Sequence, residues 1–246
     1  MIPAALESLA GRLRQLRASL EAKETFWRRG LPHEVDWWER WIADEGRRWP
    51  DEFRERLDPE TQLDEELIVE LLPSVPRDPV RILDVGAGPA TSLGKRHPER
   101  ELRIVAVDPL ADEYAALWRR AGVQPPVPTE RGTGERLAEL FGAGAFDIAY
   151  ARNALDHTID PLAVVEQMLE VVGESGYVVL RHSRNEAAKA RYRGLHQWNL
   201  ALGSGGDLVL SRPRHRINVS AALAGRAELA CRQEDETVTC VIRKSS

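Results

Sequence analysis

Hydrophobic positions fall into two regimes along the chain. In residues 4 to 29, Leu6, Leu9, Leu13, Leu16 and Leu20 recur at alternating spacings of three and four, which predicts a helix with one apolar seam. Gly30 and Pro32 are expected to end it. The seam fits either a helix packed on its own domain or a dimerising coiled coil that makes a homodimer through the N-terminal helix. Residues 33 to 72 predict two or three short helices, with Asp58 to Leu63 as the cap and first turn of the one leading to Leu72. Pro73, Pro76 and Pro79 mark a hinge. Beyond it, short apolar runs alternate with helical patterns. Strands are expected near 80–85, 102–107, 126–129, 146–151, 176–181, 228–233 and 237–243, with a helix over 164–172. The polar turn Gln233 to Glu236 should make the last two strands an antiparallel hairpin. The expected units are residues 1–30, a tryptophan-rich helical cap over 31–78, and an α/β domain over 79–246.

The strand at 80–85 ends in Asp84 and breaks into a turn with Gly86 and Gly88. Glycine lets a backbone come close to a ligand because no Cβ intervenes. The next strand ends in Asp108, at about the distance where a nucleotide-binding βαβ unit places the carboxylate that grips ribose hydroxyls. An adenosine-type cofactor is therefore expected. NAD fits poorly, because Thr91 stands where a third glycine would be and Pro89 and Ala90 fill the turn.

Further along, Phe146-Asp147-Ile148 opens a strand, Arg152 to Asp160 is a polar turn, and Gly173 to Gly176 precedes another strand. This ordered series resembles the class I S-adenosylmethionine-dependent methyltransferases over roughly residues 78 to 183. The resemblance implies a doubly wound, mostly parallel seven-stranded sheet of Rossmann-like type, closed by the C-terminal hairpin. It also implies S-adenosyl-L-methionine as cofactor. Gly86 and Gly88 would then lie against its aminoacyl end, Asp84 beside its ammonium, Thr91 toward its carboxylate, and Asp108 with Pro109 at its ribose. Gly134 and Glu135 would lie near adenine, and Arg152 would complete the cofactor wall.

Asn153, Asp156 and His157 stand at i, i+3 and i+4, so on a helix they would share one face. That face is expected to point at the transferred methyl group. His157 is the candidate base, because histidine titrates near neutrality and an alcohol nucleophile must lose a proton. Asp156 or Asn153 would orient it. In quinone-ring O-methyltransferases the same spacing carries two Glu and a His that bind a divalent ion in some members. Asn153 in place of the first Glu weakens a hard-cation site here, so no metal is expected.

His182, His196, Trp198 and Asn199 are the candidate acceptor-binding residues. Together with Asn153 to His157 they resemble bacterial methyltransferases associated with surface-polysaccharide synthesis. That resemblance implies O-methylation of a sugar or glycan hydroxyl. A phenol or quinone-type acceptor, and a non-catalytic binding subunit of the same fold, remain as alternatives. A net charge of −5 gives no general reason to expect nucleic acid. No apolar run is long enough to span a bilayer, and the N-terminal leucines are interrupted by arginines, so a cytoplasmic location is the default. Cys231 and Cys240 are expected as buried strand residues, too few for a disulfide framework.

Overall fold

The computed structural model describes residues 4–245, with side chains from Glu24 onward. The leucine seam at positions 6 to 20 therefore lies outside the described side chains. The first helix, α1, runs over Ala4–Ala43 and passes through Gly30 and Pro32 without stopping. Its packing explains why. Leu31, Val35, Trp38, Trp41 and Ile42 lie along one face and join a cluster with Leu110, Tyr114, Leu117 and Trp118. One buried aromatic removes ~150–250 Å² from water, roughly 4–6 kcal/mol at ~25 cal/mol per Å². A mid-helix glycine and proline together cost about 4 kcal/mol, so several aromatics outweigh them. Gly30 also makes room, since a Cβ there would lie 2.5 Å from Leu195 Cδ2.

Helices α2 (Pro50–Leu57) and α3 (Glu66–Leu71) follow, the latter continued by a 3₁₀ turn, Leu72–Ser74. The segment from Asp58 is not a helix start as expected. It is a turn and an isolated bridge in which Gln62 pairs with Arg96.

The main sheet contains β1 (Val80–Val85), β2 (Leu102–Asp108), β3 (Thr129–Arg131), β4 (Phe146–Arg152), β5 (Val172–Ser183), β9 (Ala227–Glu234) and β10 (Thr237–Lys244), in the order β3-β2-β1-β4-β5-β10-β9. The first five strands pair in parallel, and β10 is antiparallel to both its neighbours. The doubly wound seven-stranded sheet and its terminal hairpin are as expected. β3 begins later than its predicted position because Pro126 and Pro128 cannot donate to a ladder. Helices α4 (Ala111–Ala121), α5 (Leu137–Phe141) and α6 (Pro161–Val171) belong to the crossovers.

Two features depart from the simple alternation. No helix links β1 to β2. Residues 86–101 are an irregular loop, and α3 with its 3₁₀ extension packs Leu67, Ile68 and Leu72 on Val80, Ile82, Ile148 and Val179. The second is a three-stranded antiparallel sheet, β6 (Asn199–Leu202), β7 (Leu208–Arg212) and β8 (His215–Asn218), between the short helices α7 (Glu186–Lys189) and α8 (Val219–Ala222). Its Leu200, Leu208 and Leu210 pack with Trp198 into the opposite face of the main sheet, beside Val164, Met168 and Leu180. Cys231 and Cys240 stand opposite each other on the hairpin and form a disulfide rather than two free thiols. Among the described residues no helix is long and apolar enough to cross a membrane.

The β1–β2 loop lies directly against the cap. A Cβ at Gly94 would sit 2.0 Å from the Gln62 carbonyl oxygen. Gly94→Ala is therefore expected to lower stability by about 1–3 kcal/mol, read from urea unfolding midpoints. Gly203→Ala, whose Cβ finds its nearest neighbour at 3.6 Å, should change it little. Equal midpoints for both variants would contradict the close approach.

Candidate active site

The strand order reverses between β1 and β4, and ligands in open α/β sheets bind outside the carboxyl ends of strands at such a point. A cavity of about 570 Å³ opens there, within the range of small-molecule sites.

Gly86 and Gly88 both adopt positive φ, 72° and 68°, which explains glycine at both. The space left by their missing side chains is used by the protein as well as by the cavity. A Cβ at Gly86 would lie 2.4 Å from Ala154 Cβ, and one at Gly88 would lie 2.9 Å from Trp38. No helix fixes the loop, so side chains do. Arg56 donates to the carbonyls of Ala87 and Ala90, Thr129 Oγ1 donates to Gly88 at 2.9 Å, and Trp118 Nε1 donates to Pro89 at 2.8 Å.

Asp108 faces this loop from β2. Its carboxylate accepts the N–H of Gly88 at 3.1 Å and of Leu110 at 2.9 Å. A carboxylate has about four lone-pair sites, so two remain for ribose hydroxyls. Burial pushes its pKa up to about 7, although the two N–H donors pull the other way. Asp84 is also buried and raised to about 6, with Thr91 and the charges of Arg56 and Arg152 opposing the shift. The pair fits a ligand that brings hydroxyl donors to one carboxylate and a cation to the other.

Of the expected cofactor residues, Asp84, Gly86, Gly88, Asp108 and Pro109 line the cavity, as do Gly134, Glu135 and Arg152. Glu135 also accepts the N–H of Ile159 at 3.0 Å, which ties its 3₁₀ turn to the loop after β4. Thr91 does not face the cavity. It is fully buried and donates to Asp84 at 2.6 Å while accepting the N–H of Leu93.

The loop after β4 is not the helix start that the spacing suggested. Asn153 takes a left-handed φ of 50°, and only Leu155–His157 form a 3₁₀ turn. The Asn153 carboxamide accepts the N–H of Ser183 at 2.7 Å and so joins the ends of β4 and β5. It also lines the cavity. Asp156, His157 and His196 do converge, with their ligand atoms within 4.8 Å of one another. His196 Nδ1 lies 2.7 Å from Asp156 Oδ2 and 3.0 Å from His157 Nε2. Burial alone would raise Asp156, but the surrounding histidines outweigh it and hold it below its ordinary value. His196 moves the other way. Burial lowers it, yet the hydrogen bond and charge of Asp156, with Glu186 and Glu34, leave it raised.

Three expected acceptor residues are elsewhere. Trp198 is in the core beneath the small sheet, stacked under Arg212 with the guanidinium 4.5 Å from its ring centre. Asn199 is buried between the Ala188 N–H and the Tyr192 hydroxyl. His182 is buried on β5 with no hydrogen-bond partner among the described residues, and burial lowers it to about 4. Their apolar neighbours, Leu200, Leu208 and Leu210, signalled a packed sheet rather than a cleft.

What lines the cavity instead comes from α1 and α2. Trp27, Trp37, Trp38, Trp41 and Trp49 all reach it. The Trp27 indole donates to the His157 carbonyl at 2.8 Å. Glu34 was missed by sequence reading. Its Oε1 accepts from Trp38 at 2.9 Å and its Oε2 lies 4.0 Å from His157 Nδ1. Only its helical spacing from Trp27, Trp37 and Trp38 could have flagged it.

With this geometry in hand, the comparisons are specific about family and silent about acceptor. Residues 52–219, more than half of the chain, match the family described as "Methyltransferase domain". No curated protein matches by sequence. A CurJ carbon methyltransferase structure is similar at 12% identity and TM-score 0.50, over 74% of this chain and 53% of that one. The chain thus spans about half the length of that relative. A 1,6-didemethyltoxoflavin-N1-methyltransferase of Burkholderia thailandensis, solved with 1,6-didemethyltoxoflavin and S-adenosylhomocysteine, is 18% identical over 86% and 87% of the two chains, at TM-score 0.48. The N-methyltransferase NodS of Bradyrhizobium japonicum WM9 is 13% identical over 74% and 93%, at TM-score 0.45. The likeness to CurJ is one of fold. The chain belongs to the methyltransferase-domain family.

Proposed function

We propose that the protein methylates a hydroxyl group of a small molecule, a sugar-like or flat ring compound, with His196 as the base. The observation that carries this is the 2.7 Å contact between His196 Nδ1 and Asp156. A carboxylate that accepts from Nδ1 fixes the imidazole tautomer and leaves Nε2 as the basic nitrogen. His196 lines the cavity and is about one-third exposed, whereas the Nε2 of His157 is turned into the cluster. The base role therefore moves from His157 to His196, and His157 becomes its neighbour.

The donor in this proposal is S-adenosyl-L-methionine, which Asp84, Gly86, Gly88 and Asp108 would hold; when bound it would supply an electrophilic methyl group on a sulfonium that leaves readily. The protein has to align the acceptor, exclude water and remove one proton. His196 Nε2 takes that proton from the acceptor hydroxyl. Asp156, buried and ionised, stabilises the imidazolium that results. Indole walls suit either a sugar face or an aromatic ring. With Trp198, Asn199 and His182 outside the cavity, support for a sugar or glycan acceptor now rests on those tryptophans. A phenolic acceptor would need less help from a base, because its own pKa is nearer neutrality.

His196→Ala is expected to lower turnover by about 10²–10⁴-fold with little change in S-adenosylhomocysteine affinity. Activity retained in a methyl-release assay over candidate acceptors would remove His196 as base. The rate should rise with pH through the raised His196 pKa, because only the neutral ring accepts a proton. Asp156→Asn should move that ascending limb to lower pH as well as slow the reaction; an unshifted limb would contradict the pairing. Asp108 must be ionised to accept two hydroxyls. Affinity for S-adenosylhomocysteine should therefore fall as pH drops below about 7, and calorimetry on Asp108→Ala should show severe loss at every pH.

A further inference from the structure

Five residues of α1 line the cavity at successive spacings of four, three, four and three: Trp27, Leu31, Glu34, Trp38 and Trp41. That spacing places them on one helix face. Four of them are apolar, and the central one is a carboxylate. A charge inside an apolar stripe costs free energy unless a partner satisfies it. Glu34 is only 23% exposed. Its Oε1 accepts the Trp38 indole N–H at 2.9 Å. Its Oε2 has no hydrogen bond among the described residues, and His157 Nδ1 lies 4.0 Å from it, beyond hydrogen-bond range.

Five other carboxylates on the cavity wall have partners within the protein. Glu52 accepts from Arg56, Asp84 from Thr91, Asp108 from Gly88 and Glu135 from Ile159, and Asp156 lies 2.7 Å from His196 Nδ1. Glu34 therefore offers one free carboxylate oxygen among indoles. It does so one imidazole away from the proposed base, because His157 Nε2 lies 3.0 Å from His196 Nδ1. A carboxylate holds an ammonium ion by a charge-assisted hydrogen bond, and indole rings attract it through their quadrupole. α1 also precedes residues 52–219, so this wall comes from outside the methyltransferase domain.

We propose that Glu34 selects an acceptor that carries an ammonium group as well as the hydroxyl to be methylated. Oε2 takes an N–H of that group, with the indoles of Trp27 and Trp38 on the same helix face. This rests on the acceptor site proposed above and names the class of compound it takes. The ammonium bonds Glu34 while the hydroxyl reaches His196, so the acceptor is fixed at two points. A neutral compound of the same shape leaves the Oε2 charge unmatched.

Benzylammonium and benzyl alcohol are probes of one shape, the first charged and the second neutral. With S-adenosylhomocysteine saturating, calorimetry at neutral pH should show benzylammonium binding the wild-type protein about 10–100-fold tighter, the range of a hydrogen bond to a charged group. Glu34→Gln keeps an oxygen for Trp38 but removes the charge, and should bring the two probes within about threefold. Asp36→Asn, which removes a charge from the exposed side of α1, should keep the preference. Equal binding of the two probes by wild-type protein, or no detectable binding of benzylammonium, would overturn the proposal. So would a preference that survives in Glu34→Gln or is lost equally in Asp36→Asn. The donor's own sulfonium is the rival cation. If Glu34→Gln weakened S-adenosylmethionine and spared S-adenosylhomocysteine, Glu34 would belong to the sulfonium and the proposal would fall. All of these measurements are made without turnover, so they fail separately from the His196 base, which turnover tests.

Discussion

The structure depends on how the turn after β1 is held. In many nucleotide-binding folds a helix follows the glycine turn and fixes it through its own backbone ladder. Here that helix is missing, and the carbonyls of four consecutive residues, 87 to 90, are each taken by a side chain from another element. Arg56 comes from α2, Trp118 from α4 and Thr129 from β3. The turn's shape is therefore set by the packing of the whole cap and sheet rather than locally. Asp108 completes the arrangement by accepting the Gly88 N–H while keeping lone pairs for the ligand. Burial, opposed by its two N–H donors, raises its pKa to about 7.

That dependence links the N-terminal region to chemistry. α1 packs its tryptophan face on α4, and the same helix turns Trp27 and Glu34 toward His157. The roof of the cavity is consequently the cap itself, and the indoles that stabilise the fold also form its walls. The aromatic contacts among Trp37, Trp38, Trp41 and Phe53 are edge-on or tilted, the arrangement that aromatic quadrupoles favour. An apolar wall of this kind suits methyl transfer, where alignment and exclusion of water supply most of the rate.

Much of this was legible in the sequence. The glycine turn, Asp108 and the short apolar strands announced the sheet and the crevice at its switch point, because each depends on local backbone chemistry. The failures share a cause: tertiary contacts overrode local signals. Gly30 and Pro32 look like a helix end, but burial of the tryptophan face carries α1 past them. Asn153, Asp156 and His157 have helical spacing, but a left-handed Asn153 bonded to Ser183 breaks it. Trp198 and Asn199 look like acceptor groups by type alone, and the sheet formed by β6 to β8 buries them. Glu34 and Arg56 were invisible because nothing local marks a charged residue on a helix as facing inward. His196 was placed at the site, but its pairing with Asp156, 40 residues away, required the fold.

The most direct test of the account is a crystal structure of the full chain soaked with S-adenosylhomocysteine. The account predicts both ribose hydroxyls on Asp108, the sulfur turned toward His196, and the aminoacyl end beside Asp84. A ligand bound elsewhere, or an empty crevice at saturating concentration, would contradict it.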